Sequence, residues 1–162
     1  MDSTKNEAQV DISQSGFRTK EMVKRMIFYG SPILVQFPRE EKYLLAKRIR
    51  ETMYEMLHIC NEIEKKYYKR DTLRQLDVKL QDLRDYLELA ASPKLYPQGT
   101  ERKKKRKKQE GGAAPQVPPQ PVTCITSHQY EVWSTYTAAI GGMIGNYLQR
   151  IDGKYVEGKK SK

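Results

Sequence analysis

Leu73, Leu76, Leu80, Leu83, Leu87 and Ala90 recur at steps of three and four without a miss. One face of an α-helix satisfies that spacing and an alternating strand does not. An apolar face of this length has to be buried against another element. The same step recurs in three other segments. Met22, Met26, Tyr29, Ile33, Leu34 and Phe37 form one stripe, and Leu45, Ile49, Met53, Met56, Cys60, Ile63 and Tyr67 a second. Tyr130, Trp133, Thr137, Ile140, Ile144 and Tyr147 or Leu148 form a third. Four single-striped helices predict an all-α fold, an antiparallel up-down-up-down four-helix bundle with near-antiparallel, left-handed packing.

The expected helices cover about 17–36, 38–68, 71–92 and 126–150. Thr126 and Gln129 form a T-x-x-Q capping box, with Ile125 and Tyr130 placed as its hydrophobic staple, so the last helix has a defined start. Gly141, Gly142 and Gly145 each cost roughly 1 kcal/mol against Ala inside a helix, and close approach of another helix is the expected compensation. Pro32, following Gly30 and Ser31, is expected to kink or restart the first helix. Pro38 suits the first turn of the second helix, with Glu40 and Glu41 at the positive end of its dipole. The short Tyr68–Asp71 link makes the second and third helices antiparallel neighbours. Asp71 is the expected N-cap of the third, and Ser92-Pro93 its stop.

Charge divides the chain further. The formal net charge is +10 over 162 residues. It is concentrated in 93–124, which carries +6, and in 153–162, which carries +3. Arg102, Lys103, Lys104, Lys105, Arg106, Lys107 and Lys108 are consecutive cations, followed by a Gly, Ala, Pro and Gln stretch. Like charges at that density repel and the Pro-rich part resists helix, so 93–124 is expected to be a disordered basic insertion between the third and fourth helices. Residues 1–16 are expected to be a disordered N-terminal arm, 17–152 the bundle, and 153–162 a basic tail.

A polyanionic partner follows from this balance, nucleic acid more readily than membrane. The basic run reads as an electrostatic arm for RNA or DNA, the plainer alternative being a solubilising linker. Lys47, Arg48, Arg50, Glu51 and Glu55 are read first as a solvated, ion-paired face. Tyr54, Tyr68, Tyr86 and Tyr136 lie off the stripes and suggest a surface covered by another subunit.

Catalytic constellations are missing from the pattern. His58 and His128 lie on different helices without HExxH spacing, and no Gly-rich loop sits between a strand and a helix. Cys60 and Cys124 lack a CxxC partner, and Cys60 falls on an apolar stripe. No catalytic residue, cofactor or metal site is expected. With no apolar run near 18 residues and no signal peptide, a cytoplasmic protein is expected.

Three stretches resemble a known family. PILVQFPR, Pro32 to Arg39, has a P-x5-P-R pattern. LRQLDVKLQDLRDYLELA, Leu73 to Ala90, is similar to a leucine-rich third helix with an L-D-x-x-L-x-x-L-R core. ITSHQYEVWSTYTAAIGGMIGNYL, Ile125 to Leu148, resembles an S/T-x-x-Q-Y start and an I-G-x-M-L-G-x-W-I finish. Together they resemble the accessory variability determinant of diversity-generating retroelements (bAvd-like), within a wider group of small bacterial four-helix-bundle proteins that includes those encoded in ribosomal RNA intervening sequences. The resemblance implies a non-enzymatic homopentamer that binds the retroelement reverse transcriptase and its template RNA, with DNA as another polyanion it could hold, and that supports mutagenic reverse transcription. The alternative is an intervening-sequence-type structural or interaction protein without a polymerase partner. Arg84 matches the basic position in L-x-x-L-R and Arg39 the basic residue after the second Pro. Departures are Glu88 and Gly142, where the pattern carries Arg, and Tyr147, where it carries Trp. The nucleic-acid-binding candidates are Arg39, Lys47, Arg50, Arg74, Arg84 and the run Arg102 to Lys108.

Overall fold

A computed structural model describes the backbone of residues 3–95 and 123–159 and the side chains of residues 18–95 and 123–153. Among the described residues all regular structure is helical: α1 Ser3–Val35, α2 Arg39–Lys42, α3 Leu45–Lys65, α4 Arg70–Ala91 and α5 Ser127–Lys159. Four are long, and α2 is a single turn. The expected arm, residues 1–16, falls where side chains lie outside the described residues, although the backbone from Ser3 continues α1. Of the expected insertion, 93–124, residues 96–122 also lie outside them, as do the side chains of the tail beyond Gly153, where the α5 backbone runs on to Lys159.

The stripes meet in one core. Every α4 stripe position is buried, Leu73 through Ala90, and so are Ile49, Met53, Met56, Cys60 and Ile63 of α3. Trp133, Thr137, Ile140, Ile144 and Tyr147 of α5 close the other side. At about 1.5–3 kcal/mol for each large apolar side chain buried, this core is the main favourable contribution to the fold. Within it α3 lies against α1 and α4, and α5 against α1 and α4.

The second helix departs from the expected run over 38–68. Pro38, with ψ at 146°, opens the short α2, and Leu44 at φ −108°, ψ −90° breaks the helix before α3 begins. Glu41 bridges the break, its carboxylate accepting the Leu45 N–H at 3.3 Å. With the helix restarting at Leu45, that N–H is a first-turn donor without an intrahelical carbonyl, and the Glu41 side chain satisfies it. At the other end α3 stops at Lys65, and Lys66 turns to extended backbone. Tyr67 is therefore not a core residue; it stands 82% exposed.

Two other local expectations are refined. Pro32 sits inside α1, and the helix does not restart there. The Ser31 hydroxyl donates to the Ile27 carbonyl at 2.7 Å, the back-bonding by which a hydroxyl settles in a helix interior. Asp71 is not the cap of α4: Lys69 holds that position with no side-chain cap bond, and Asp71 lies in the first turn, where its charge suits the dipole.

The last helix starts as its sequence dictates. Thr126 Oγ1 accepts the Gln129 N–H at 3.1 Å, and Gln129 Oε1 accepts the Thr126 N–H at 2.9 Å. The Ala90 carbonyl at the end of α4 accepts the N–H groups of both Cys124 and Ile125, at 2.9 and 3.2 Å. The exit of α4 is thereby tied to the entry of α5, whatever the intervening chain does.

The close helix approach lies mainly elsewhere than the glycine cluster of α5. Gly142 and Gly145 have open space where a Cβ would stand, and only Gly141 is crowded. The tightest position is Gly30 on α1: a Cβ there would run into Cζ2 of Trp133, with Cη2 of the same ring at 2.7 Å. Trp133 in turn meets Tyr29 edge-on, with ring centroids 6.0 Å apart and planes at 90°. Glycine at position 30 lets α1 settle onto the indole.

Candidate nucleic-acid interface

The cations proposed from sequence separate into those facing solvent and one facing inward. Lys47 and Arg50 stand one turn apart on the exposed side of α3, preceded by the exposed Arg39 at the start of α2. Arg74 is exposed on the first half of α4. Lys47 makes only a long contact with Glu51, 3.7 Å, through two well-exposed side chains. Such a pair contributes little to stability and leaves the ammonium open to other anions. Arg102 to Lys108 lie outside the described residues.

Arg84 is different. It is half-buried, and its Nη2 donates to the Thr137 carbonyl of α5 at 3.2 Å. The guanidinium occupies the notch left by Gly141, where a Cβ would lie 2.5 Å from Nη2 and 3.4 Å from Leu80 Cδ2. The Gly141–Arg84 pairing therefore joins α4 to α5, and the sequence motif containing Arg84 concealed a packing role. The one available signal was the glycine cluster, which announced a close approach without naming its partner.

Around these cations the charge is organised by cross-helix pairs. Lys20 of α1 meets Glu64 of α3 at 3.0 Å, and Lys79 of α4 meets Glu55 of α3 at 2.7 Å. The Glu55 hydrogen bond raises the Lys79 pKa, keeping it charged. Glu62 faces both His58 and Lys66, and the Lys66 hydrogen bond lowers its pKa. Arg70 and Asp152 pair at 3.0 Å between the start of α4 and the later part of α5.

Beside Lys47, an open groove of about 560 Å³ is lined by Tyr43, Leu44, Tyr86, Leu89 and Leu95, together with Arg48. Its walls mix apolar surface and charge, with Glu41 and Glu51 present as well.

Among the described residues no group of three or more His, Cys, Asp or Glu side chains could hold a metal ion. Burial pushes the Cys60 thiol up to about 12 and the Cys124 thiol up to about 11, so both stay protonated at neutral pH. No helix of the described residues is long and apolar enough to cross a membrane.

No curated protein matches the chain. A family model described as bAvd-like matches residues 18–114. That span begins within α1 and carries α2, α3 and α4, while α5 lies beyond it. Since the match takes in more than half of the chain and three of its four apolar stripes, the chain belongs to the bAvd-like family.

Proposed function

We propose that this protein is a non-enzymatic accessory factor of a diversity-generating retroelement, binding the reverse transcriptase and its template RNA to support mutagenic copying. The observation that carries the reading is the family match over residues 18–114. The charge balance supports it, since a net +10 chain favours a polyanion. With Arg84 turned into the α4–α5 seam, the RNA contacts fall to Arg39, Lys47, Arg50 and Arg74 and to the run Arg102 to Lys108.

The scaffold in this reading is an antiparallel up-down-up-down bundle. Supporting contacts run in opposite order along neighbouring segments, so that as residue number rises on one helix it falls on the other. Thr19 lies against Met143 while Gly30 lies against Trp133, and Arg70 meets Asp152 while Ala90 meets Cys124. We further propose that the working form is a cytoplasmic homopentamer. Exposed Phe28, Val35, Leu44 and Val78 support association; the number five rests on the family resemblance.

The test is co-expression of the full chain with a diversity-generating retroelement reverse transcriptase and its template RNA, followed by affinity purification and RNA extraction. Stoichiometric co-purification of polymerase and RNA is expected. A chain that retains neither would remove the reading. Neutralising Arg102 to Lys108 should lower the slope of log affinity against log salt by up to about 0.9 for each phosphate the run neutralises; an unchanged slope would rule out the arm.

A further inference from the structure

The exposed side of α3 carries a row of residues with a shared chemistry. Lys47, Arg50, Tyr54, His58, Asn61 and Lys65 follow one another at steps of three and four, and all are exposed. At 3.6 residues per turn they fall within an arc of about 80° and extend for about 27 Å. No carboxylate interrupts them. The acidic residues of α3 stand to either side: Glu51, Glu55 and Glu62 on one flank and Glu64 on the other. Glu55 is engaged by Lys79 and Glu64 by Lys20, while Glu62 is shared between His58 and Lys66. Arg50 and Lys65 have no carboxylate partner among the described residues.

Tyrosines accompany the row along its length. Tyr54 lies within it and is 52% exposed. Tyr43 precedes it at 77%, and Tyr67 and Tyr68 follow it at 82% and 80%, their rings edge-on at 5.1 Å. Phenol rings left in water at such exposure offer flat apolar faces that the fold itself does not use. Cations on either side of an open aromatic ring in a single narrow row, with further exposed rings just before and after the helix, match a strand whose phosphates and unstacked bases can both be met. A duplex meets only the first condition: its phosphates are open but its bases are stacked inward, and a second phosphate strand beside the first would approach the line of Glu51, Glu55 and Glu62.

We propose that the outer face of α3 is a track for single-stranded RNA, with Arg50 and Lys65 on phosphates and Tyr54 as a stacking platform, flanked by Tyr43 at one end and Tyr67 and Tyr68 at the other. This rests on the RNA-binding reading above and adds to it the form of the RNA and the surface that holds it. A track about 27 Å long suits an RNA segment at the small end of the roughly 4–16 nucleotides typical of single-strand sites.

The experiment measures fluorescence anisotropy of a labelled mixed-sequence 20-mer RNA, single-stranded and as a duplex, titrated with the full chain. The chain is wild type, Tyr54→Ala, Tyr54→Phe or Arg50→Ala. The wild type should bind the single strand more tightly than the duplex. Tyr54→Ala should weaken single-strand affinity by roughly five-fold to a hundred-fold, the range set by removal of one base stack, with an unchanged salt slope. Tyr54→Phe should keep the affinity, because the ring is retained, and Arg50→Ala should lower the slope by about 0.7. If the wild type binds RNA but Tyr54→Ala matches it on both strands, the α3 track is overturned while the RNA-binding reading stands. If the wild type binds neither RNA, that reading falls and the track with it. Circular dichroism of each variant checks the fold, which substitution of an exposed side chain should leave intact.

Discussion

Replacing Gly30 with Ala tests how far the α1–α5 contact depends on one missing Cβ. The added atom would meet three ring atoms of Trp133, with Cη2 at 2.7 Å and Cε2 at 3.2 Å. Trp133 is fully buried and braced by Tyr29, so the ring has little room to withdraw. Forcing an extra methyl into a packed core costs about 1–3 kcal/mol. Against this, Ala is favoured over Gly in a helix interior by about 1 kcal/mol. The clash should prevail, because the obstacle is three atoms of a rigid ring rather than the tip of a flexible chain; that puts the strain in the upper part of the range, about 2–3 kcal/mol, and leaves a net loss of about 1–2 kcal/mol. Urea unfolding of the full chain reads this as a lower midpoint at constant slope. For a chain of this size the melting temperature should fall by about 2–8 °C. Gly142→Ala is the internal control. Nothing lies within 4 Å of its added Cβ, so only the propensity gain remains and the protein should be stabilised by up to about 1 kcal/mol. A Gly30→Ala variant as stable as wild type would refute the reasoning; a destabilised Gly142→Ala would show that another subunit covers that surface.

Further outcomes can be checked by the same methods. Thr126→Ala removes the cap of α5 and should cost about 1 kcal/mol in urea unfolding. Arg84→Met removes the donor to the Thr137 carbonyl and should cost about 1–2 kcal/mol, with RNA affinity in anisotropy titrations unchanged because the guanidinium faces the seam. Glu62 has its carboxyl lowered below 4.5 by Lys66, so its contribution is present above that value and is lost as pH falls through the lower folded value. The wild-type melting temperature should drop on acidification below about pH 4.5, and Glu62→Gln should drop less steeply. Cys60, with its thiol near 12, should resist iodoacetamide at pH 8 in the native protein and react once unfolded; rapid native labelling would contradict its burial.

Helix identity and core-facing side were legible in the sequence wherever the information was local. The α4 stripe from Leu73 to Ala90 is buried at every position, because a period of 3.6 records which face needs cover. The Thr126–Gln129 box forms both of its bonds, since donor and acceptor lie three residues apart on one chain. Where the stripe misled, at Tyr67, the helix had already ended at Lys65. The break at Leu44 was equally hidden, because no proline or glycine marks it and it is bridged by the Glu41 side chain.

What the tertiary structure alone decided are the partners across the core. Gly30 reads locally as a weak point beside Pro32, yet it is where α1 receives Trp133, 103 residues away. Arg84 reads locally as a surface cation on a basic motif, yet Gly141 opens a notch that draws it onto the Thr137 carbonyl. Periodicity is a property of one helix, so it determines that a face is buried and is silent about what buries it. The pairing depends on which small residue on one helix stands opposite which large one on another, and that choice exists only once the helices are packed.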